Sequence, residues 1–451
     1  MKGSLFFPGS QEYESSVRIW NGMFQKKPAA IAYCKETADV AKAVKLARRH
    51  GLLTSVRSGG HHVAGNSLCD GGLTIDLTYM NKVSVNQEKM SVKAQGGALL
   101  EDVDRLTQLY GLATPFGVVS KTGIAGLTLG GGYGHLRRKY GLTIDNLLSV
   151  ELVKADGSVT HADETQNQDL LWAVKGGGGN FGIVTEFEYK LHSVGPMLYQ
   201  VYTAYPLSEG IGVLKRGRKF LADEVSDDVS AEFQLAKIPD TRFYPMEMRG
   251  ERVVVMRAVH AGPVKKGKEE MEFLRHLGTS LYDSSGPRSY VDIQTYTDNT
   301  VPNGIRYYST GIMVQELKDE LLELMVEEYS KVDLDEVGVT GIWHTGGAIS
   351  RVESSETAYA ARDNQYMIVI DLGWSGKEND RQQIGWGRGL KKKIRDLYPE
   401  KEETGYINFQ PGDNDKLEIS AAYGKNSGRL SEIKRKYDPD NFFRVNHNIK
   451  P

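Results

Sequence analysis

The hydrophobic pattern at the start of the chain predicts a strand, a helix and two further strands. Residues 29–34 (AAIAYC) form a short apolar run typical of a buried strand. Apolar residues then recur at helical spacing, with Thr37 as the expected N-cap and Gly51 as the C-terminal stop. Residues 52–57 and 73–77 repeat the strand pattern. The chain is therefore predicted to begin with a β–α–β unit.

Between residues 86 and 195 helical and period-two patterns continue, interrupted by stretches rich in glycine. Apolar residues at helical spacing predict helices, and alternating ones predict half-buried strands. The predicted elements are a strand over 90–94, a helix over 98–111, a hairpin over 147–159 with Asp156-Gly157 at its turn, a helix through 170–174 and a strand over 181–191.

After residue 195 the glycine clusters give way to aromatic and charged residues, which indicates a second domain of α+β type. This domain is predicted to end near residue 403, and a segment over 404–451 follows with one helix and a polar tail. The predicted elements are strands over 197–205, 252–260, 307–314 and 365–374, and helices over 315–331, 380–397 and 428–437.

Composition and charge narrow the possible function classes. The chain has 451 residues, enough for two or three domains. Its 56 Lys and Arg residues nearly balance 58 Asp and Glu residues, and a net charge of −2 attracts neither nucleic acid nor an anionic membrane. No secretory signal or membrane-spanning apolar run stands out. A cytoplasmic protein is predicted, with export by a signal-independent route left open.

Cysteine and histidine patterns give no sign of a disulfide framework or a metal centre. The two cysteines, Cys34 and Cys69, are expected to be free thiols. His61 and His62 are adjacent, so on an extended backbone their side chains would point apart. No HxxxH or CxxC pair is present to build a tetrahedral site, so no metal is expected.

Glycine, with 50 residues, is over-represented and clusters in three segments. Such segments allow close backbone packing and can point N–H groups at an anion such as pyrophosphate. Taken singly, each has a structural alternative, either a tight turn or a flexible hinge. The second follows a helix and a long loop, which is the wrong context for a dinucleotide fingerprint. The segments are 57–65 (RSGGHHVAG), 122–134 (TGIAGLTLGGGYG) and 175–185 (KGGGGNFGIVT).

Taken together and in this order, the three segments resemble those of FAD-linked oxidases with a PCMH-type FAD-binding domain. Within this vanillyl-alcohol-oxidase superfamily, the chain is similar to the berberine-bridge-enzyme-like group. The closing segments 406–409 (YINF) and 437–451 (YDPDNFFRVNHNIKP) resemble the C-terminal signature of that group. The likeness extends over nearly the whole chain, so the combination is far more specific than any single glycine turn.

The resemblance implies an α+β fold with two α/β FAD-binding subdomains, about 1–85 and 86–195. A substrate domain over 196–403 would place a large antiparallel sheet, backed by helices, above the flavin. The segment 404–451 would return to the FAD domain.

The resemblance also implies FAD attached covalently through the flavin 8α-methyl to His61. Some relatives add a second link through a cysteine, but Val119 stands at that position, so a single link is expected. Cys69 is expected to be a small buried residue. The residues expected to hold FAD are Arg57, Ser58, Gly59, Gly60, His61, His62, Gly65, Gly117, Val118, Thr122, Gly123, Gly126, Gly130, Gly131, Gly132, Gly134, Gly182, Ile183, Val184, Asn446 and Asn448.

The implied chemistry is hydride transfer from a substrate carbon to flavin N5, with a base removing the proton of the adjacent O–H or N–H. In relatives a tyrosine of a Tyr-x-Asn segment faces the substrate, so Tyr406 is the first candidate base, accompanied by Asn408 and Tyr366. His344 and Asp371 are further candidates. Each could instead be a buried residue that only hydrogen-bonds within the fold.

The resulting prediction is an FAD-dependent oxidase of a CH–OH group in a sugar or alcohol, reoxidised by O₂ to give H₂O₂. Three alternatives stay open: oxidation of a CH–NH group, a flavin dehydrogenase with another acceptor, and a non-catalytic FAD-bearing binding or coat protein. The expected partners are a small-molecule substrate and O₂, without nucleic acid or membrane, and the expected state is a monomer or homodimer.

Overall fold

A computed structural model describes residues 2–238, 240, 246–332, 337–399, 405–411 and 422–451. Three main sheets use successive stretches of the chain, and a cavity lies between the first two and the third. No helix within these ranges is long and apolar enough to cross a membrane. The fold is the predicted mixture of helices and sheets.

The first sheet has the order β1-β2-β4-β3, with β2, β4 and β3 parallel and β1 antiparallel to β2. The apolar face of helix α2 packs on it through residues such as Val40 and Val44, which share a buried cluster with Ile75. Its elements are β1 (Ser4–Phe6), α1 (Gln11–Ser16), β2 (Ala30–Tyr33), α2 (Thr37–Arg49), β3 (Thr54–Arg57) and β4 (Leu73–Asp76).

The predicted cap of α2 is wrong. Glu36 occupies the N-cap position and makes no side-chain cap hydrogen bond. Thr37 is already helical, and its hydroxyl donates to Glu151 Oε1 at 2.7 Å. The side chain thus joins α2 to the second sheet, an option that local sequence cannot reveal.

The second sheet has the order β5-β6-β10-β8-β9 and is antiparallel throughout. Short helices cover it and lead into the glycine-rich loops. Its strands are β5 (Val83–Asn86), β6 (Ser91–Gln95), β8 (Leu147–Val153), β9 (Val159–Ala162) and β10 (Ile183–Lys190), and its helices are α3 (Leu100–Gln108), α4 (Ile124–Leu129), α5 (Arg137–Tyr140) and α6 (Gln168–Val174). A separate two-stranded ribbon pairs β7 (Leu112–Ala113) with β11 (His192–Ser193).

The third sheet is large and antiparallel, with the order β15-β12-β14-β13-β18-β19-β17 and β16 beside β12. Its strands are β12 (Met197–Pro206), β13 (Val229–Lys237), β14 (Arg252–His260), β15 (Tyr282–Asp283), β16 (Gly286–Ser289), β17 (Arg306–Val314), β18 (Val337–His344) and β19 (Tyr366–Trp374). The accompanying helices are α7 (Gly210–Asp223), α8 (Val264–Met271), α9 (Tyr290–Thr295), α10 (Asp319–Lys331) and α11 (Asp380–Asp396).

Strand alternation gives this sheet two different faces. On β19, Ile368 and Ile370 belong to a buried cluster with Leu321 of α10 and Ile394 of α11. Val369 and Asp371, which alternate with these two residues along the strand, face the opposite way and line the cavity. Helices therefore back one face of the sheet, and the other face is left to form the roof of a site.

The end of the chain packs on the second sheet through α12 (Ser427–Tyr437). Lys434 of this helix is buried, and its Nζ donates to Asn180 O at 2.7 Å and to Asp438 Oδ2 at 2.6 Å. Short 3₁₀ helices lie at Thr143–Asn146, Leu207–Glu209, Met246–Met248, Glu272–Arg275, Asp298–Thr300, Gly347–Arg351, Lys377–Asn379, Ile407–Phe409 and Gly424–Asn426. The contacts of Lys434 fix the polar tail beside the third glycine segment.

Candidate active site

The cavity has a volume of about 380 Å³ and lies between the glycine-rich loops and the open face of the large sheet. The loop after β3, the loops around α4 and the segment before β10 form its floor. Strands β13, β14, β17, β18 and β19 form its roof, and residues 406–409 and 443–447 close its sides. All three parts of the fold thus contribute to one site.

The first glycine segment leaves β3 and packs directly against the second. A Cβ atom on Gly59 would collide with the backbone of Gly123, and one on Gly123 would collide with Gly59. Gly60 has a φ of +70°, which favours glycine. The hydroxyl of Ser58 is buried and has no hydrogen-bond partner within the described ranges. This turn brings Ser58 and His61 to the cavity wall.

His61 is held at the cavity by ring stacking. Its imidazole lies 4.2 Å from the Trp20 ring, with 16° between the ring planes. Burial lowers the pKa of His61 to about 4, so the ring is neutral at pH 7. A neutral imidazole has a nitrogen lone pair available to form a bond.

His62 has a different role from its neighbour. Its Nδ1 accepts the backbone N–H of Ala64 at 3.1 Å, and its ring lies 5.5 Å from that of His447. Burial, with further contributions from His447 and Lys26, lowers the pKa of His62 to about 3. Both histidines of the segment line the cavity, but His62 is engaged by the protein itself.

The second glycine segment combines structural and cavity-facing positions. A Cβ atom on Gly134 would collide with the carbonyl oxygen of Phe116, and one on Gly132 with the Thr143 hydroxyl. Gly126, by contrast, lines the cavity, and a Cβ there would meet no protein atom within 4 Å. The glycines therefore serve two purposes, close packing of the loops and space at the cavity surface.

Most of the predicted cofactor residues line the cavity. They are Ser58, Gly59, Gly60, His61, His62, Gly117, Val118, Thr122, Gly123, Gly126, Gly130, Gly182, Ile183, Val184 and Asn446. Six others do not line it: Arg57, Gly65, Gly131, Gly132, Gly134 and Asn448. Val119, the position at which a cysteine would be needed for a second link, also lines it.

Two of the residues outside the cavity, Arg57 and Gly65, have evident structural roles. The Arg57 guanidinium donates to the carbonyls of Ser16 and Arg18 and pairs with Asp76 at 3.7 Å, so it points away from the cavity. A Cβ on Gly65 would collide with the ring of Phe24. These two positions hold the loops in place.

Several further lining residues are not among the expected cofactor residues, although some of them belong to the glycine-rich and C-terminal segments. Trp20, Tyr133, Gly179 and His447 line the floor, and Glu232, Gln234, Arg257, Tyr307 and Ser309 line the roof. Trp20 and Tyr307 are 287 positions apart in the chain, yet their rings stack at 3.8 Å. No local signal could have paired them.

The donor and acceptor set of the floor fits FAD. Ser58 Oγ, Asn446 Oδ1 and His447 Nε2 are buried polar atoms without a partner in the part of the chain that the structure describes. Gly126 and Gly179 leave open space where a side chain would otherwise stand. Unpartnered polar atoms beside bare backbone are what a ligand with phosphate, ribose and heteroaromatic groups requires.

Asp371 of β19 is an acidic residue on the roof that lies apart from the Glu232–Arg257 ion pair. It lies opposite Ser309 of β17 in the strand register, and both side chains line the cavity. Burial raises the pKa of Asp371 to about 6, against a smaller opposing effect of the hydrogen bond with Ser309. Its Oδ1 atom has no hydrogen-bond partner among the described residues. A carboxylate with a free oxygen thus faces the site at neutral pH.

Tyr406 and Asn408 enter the cavity from the side. The Asn408 amide donates to the Tyr406 hydroxyl at 2.9 Å and to Leu127 O at 3.1 Å. Burial raises the pKa of Tyr406 to about 12, although hydrogen bonds from Asn408 and from the backbone of Gly132 and Tyr133 act in the opposite direction. Tyr406 is therefore protonated at neutral pH, with its oxygen already accepting hydrogen bonds.

The structure does not bring Tyr366 or His344 to the cavity. Both side chains lie on the helix-backed side of the sheet, where their rings stack at 5.4 Å. Tyr366 belongs to the same buried cluster as Ile368 and Ile370, two and four residues along the strand. Period-two alternation thus separates Tyr366 from Asp371 and leaves it without access to a bound substrate.

A second polar group lies farther along the roof. Arg257 and Glu232 form an ion pair at 3.5 Å, and Gln234 Nε2 donates to Glu232 Oε1 at 3.1 Å. Arg257 also donates to Thr297 Oγ1 at 3.0 Å. Since these residues line the same cavity as Asp371, they offer both hydrogen-bond donors and acceptors to a polar substrate.

Two family models match parts of the chain. A model described as FAD binding domain matches residues 28–163, and one described as berberine and berberine like matches residues 405–450. The chain is also 32% identical over 455 residues to an FAD-linked oxidoreductase of Dictyostelium discoideum, covering 100% of this chain and 95% of that relative.

Solved structures share the fold over its whole length. The 6-hydroxy-D-nicotine oxidase of Arthrobacter nicotinovorans superposes with a TM-score of 0.88 at 27% identity, covering 100% of this chain and 98% of that one. The glucooligosaccharide oxidase of Acremonium strictum gives a TM-score of 0.88 at 25% identity, covering 100% and 97%. The FAD of that second protein is 6-S-cysteinyl, 8α-N1-histidyl FAD.

Proposed function

Because the chain belongs to the berberine-bridge-enzyme-like family of FAD-linked oxidoreductases, we propose that it is an oxidase of a CH–OH group in a sugar or alcohol. The observation that carries the proposal is the position of Asp371, a carboxylate with a free oxygen on the roof of the cavity. FAD held on the floor would supply the hydride acceptor, and O₂ would be the final electron acceptor, with H₂O₂ as the product.

The two candidate bases differ in their protonation at neutral pH. Asp371, with a pKa of about 6, is largely ionised at pH 7, and a carboxylate in this range is an effective general base. Tyr406, with a pKa of about 12, holds its proton. We assign the removal of the substrate proton to Asp371.

Tyr406 then serves as a hydrogen-bond donor. Its oxygen accepts from Asn408 and from backbone N–H groups, so its own O–H is left to donate to the substrate oxygen. Donation to an oxygen that gains negative charge stabilises the transition state in a cavity that excludes bulk water. Asn408 positions Tyr406 and supports this donation.

The substrate is a small polar molecule in this proposal. Donors and acceptors of Arg257, Glu232 and Gln234 suit hydroxyl groups, and Tyr202, Tyr296 and Trp343 supply flat apolar surface for a ring. The same free oxygen of Asp371 would also pair with a protonated amine, which favours oxidation of a CH–NH group as the second candidate.

The cofactor is proposed to be joined to the chain through His61 alone. The neutral imidazole of His61 lines the cavity, and Val119 provides no thiol. Acid precipitation of the purified protein tests the link. A yellow pellet is expected, and a colourless pellet would contradict it.

The proposed reaction is tested by anaerobic mixing of the protein with sugars, alcohols and cyclic amines. Bleaching of the flavin absorbance by a sugar or alcohol, followed by rapid recovery and H₂O₂ formation in air, is the expected result. Bleaching by amines alone would favour the second candidate. Slow recovery in air, with rapid recovery on adding a quinone, would identify a dehydrogenase instead.

A further inference from the structure

A short segment near the N-terminus joins the His61 loop to the substrate domain. Residues 18–24, here called the N-terminal strap, run between the first glycine segment and β17. The backbone N–H of Trp20 donates to Gly60 O at 3.2 Å, and Trp20 O accepts from Gly304 N at 2.9 Å. One residue of the strap thus touches both halves of the site.

Asn21 reinforces the same connection. Its side chain is buried and donates to Val63 O at 2.8 Å and to Tyr307 O at 2.9 Å, while its Oδ1 accepts from Tyr307 N at 3.0 Å. The amide therefore fixes the loop that carries His61 relative to the backbone of β17. Buried amides with several partners make such connections rigid.

The Trp20 indole is the middle ring of a three-ring stack. The His61 ring lies 4.2 Å from it with 16° between planes, and the Tyr307 ring lies 3.8 Å from it with 14° between planes. Its Nε1 donates to Val301 O at 3.1 Å, which fixes the indole about its own axis. Trp20 and Tyr307 share a small buried cluster with Val63.

We infer that Trp20 is a positioning residue for covalent flavin attachment: it holds the imidazole of His61 in one plane at the wall of the cavity. This inference rests on the proposed link through His61. The side chain of His61 otherwise has a free torsion about Cβ–Cγ, and within the described part of the chain its other contact is a hydrogen bond to its own backbone. A face-to-face stack with an anchored indole removes that freedom.

The attachment needs such control because its geometry is demanding. In net terms the imidazole N–H and one C–H of the 8α-methyl group are replaced by an N–C bond, and the two hydrogens leave on O₂ as H₂O₂. The attacking nitrogen must lie in line with the methyl carbon, and misplacement by about 1 Å costs on the order of a hundredfold in rate. The lowered pKa of His61 leaves that nitrogen unprotonated.

The test is the fraction of flavin that stays on the chain after denaturation, measured by in-gel fluorescence and intact mass. Trp20→Leu keeps an apolar side chain but removes the flat ring, and Trp20→Phe keeps a ring that can stack. In chains produced under riboflavin depletion, and so free of flavin at the start, we expect Trp20→Leu to attach flavin on the order of tenfold to a hundredfold more slowly after addition of FAD, with Trp20→Phe close to the parent protein.

Trp172→Leu is the matched control. Trp172 is buried to a similar degree, and its Nε1 also donates to a backbone carbonyl, Ser355 O at 2.8 Å, but it does not line the cavity. Its variant should keep the parent rate of attachment. Tyr307→Leu provides a second route, since it removes the far side of the stack and should also slow attachment.

The outcomes separate this inference from the function on which it rests. A parent protein without covalent flavin contradicts the link itself. A parent protein with covalent flavin and a Trp20→Leu variant that attaches it at the same rate overturns the role of Trp20 alone. If Trp20→Leu does not fold, equal attachment rates in Tyr307→Leu and Tyr307→Phe overturn it instead.

Discussion

Asp371 and Tyr406 face the same cavity, and burial has opposite consequences for their ability to act as a base. Burial raises the pKa of both, to about 6 and about 12, because each becomes less stable when charged. For a carboxyl group this shift brings the pKa close to neutral pH, whereas for a phenol it moves the pKa farther away. The same physical effect therefore makes one side chain a competent base and the other a donor.

The pH dependence of flavin reduction should show the titration of Asp371. The base is active only when deprotonated, so the second-order rate constant of reduction is expected to fall tenfold per pH unit below about pH 6 and to level off above it. Asp371→Asn should lower this rate by about 10²–10⁴-fold. It should also abolish the acidic limb of the pH profile, which is the fall in rate below about pH 6. Stopped-flow absorbance under nitrogen measures both quantities.

Ser309→Ala is the control for that experiment. It removes the hydrogen-bonding neighbour of Asp371 and keeps the carboxylate, so the limb should persist at a slightly higher pH. If the Asp371→Asn variant keeps the parental pH profile, Asp371 is not the base that removes the substrate proton.

Tyr406→Phe distinguishes a donor from a base. Loss of one donor to a developing oxyanion should cost about 10²–10³-fold in the rate of flavin reduction, with the limb near pH 6 unchanged. Asn408→Leu, which leaves the Tyr406 hydroxyl without its 2.9 Å partner, should have a smaller effect in the same direction. Disappearance of the limb in Tyr406→Phe would instead identify Tyr406 as the titrating group.

Residue types within motifs could be predicted more readily than their orientation. The close approach of the glycine segments, and with it the position of His61 in the first of them, could be predicted from the sequence. The reason is that only glycine allows the backbone contact between Gly59 and Gly123. Arg57 has the same sequence context but turns toward Asp76. Tyr366 and Asp371 lie on one strand, and only the packing of helices on the sheet decides which of them meets the substrate.

At the scale of elements, α3 and α9 meet through a buried carboxyl group. Asp104 of α3 accepts from Gln294 Nε2 of α9 at 2.9 Å, and the same amide donates to Gly117 O in the cavity floor at 3.1 Å. Asp104 Oδ1 and Gln294 Oε1 have no partners within the described part of the chain. Burial raises the pKa of Asp104 to about 7. Burial therefore makes the folded state most stable when Asp104 is protonated, although the hydrogen bond from Gln294 acts in the opposite direction.

This contact should make stability depend on pH. The folded protein holds the proton of Asp104 more tightly than the unfolded chain, so stability falls as pH rises from about 4 to about 7 and then levels off. Asp104→Asn removes this dependence. Its melting temperature is expected to exceed that of the parent at pH 7, by an amount that shrinks toward pH 4, in thermal melts followed by fluorescence.

A second substitution controls for the loss of a carboxyl group in the same place. Asp292→Asn alters an exposed residue of α9 and should leave the pH dependence of the melting temperature in its parental form. If the melting temperatures of Asp104→Asn and the parent protein change in parallel between about pH 4 and pH 7, Asp104 does not titrate as expected.

Strands with long apolar runs were easier to predict from the sequence than strands of mixed composition. The strands β14 (RVVVMRAVH) and β19 (YMIVIDLGW) follow from runs of mostly apolar residues, and both lie within a residue or two of the predicted bounds. Strand β18 (VGVTGIWH) was missed because two glycines weaken its pattern, although β13 and β19 pair with it on both sides. Tertiary pairing thus overrides a weak local preference.

At the scale of the whole molecule, the cavity exists only when distant parts of the chain have assembled. The floor comes from residues before 185, the roof from residues 202–373, and one wall from residues 443–447. The stack of Trp20 on Tyr307 and the bond from Asn180 to His447 O at 3.1 Å join these parts. A cofactor held there contacts all of them and should stabilise the assembled state.

The response of the melting temperature to added FAD therefore reports how the cofactor is held. A ligand that binds only the folded state adds about 2.7 kcal/mol at 100 times its Kd. His61→Ala should bind FAD without a bond, so its melting temperature is expected to rise with FAD concentration. The parent protein, with FAD already joined, should not respond, and neither should His62→Ala, which keeps His61. An equal rise in the parent protein would mean that its cofactor exchanges freely, and the bond through His61 would have to be abandoned.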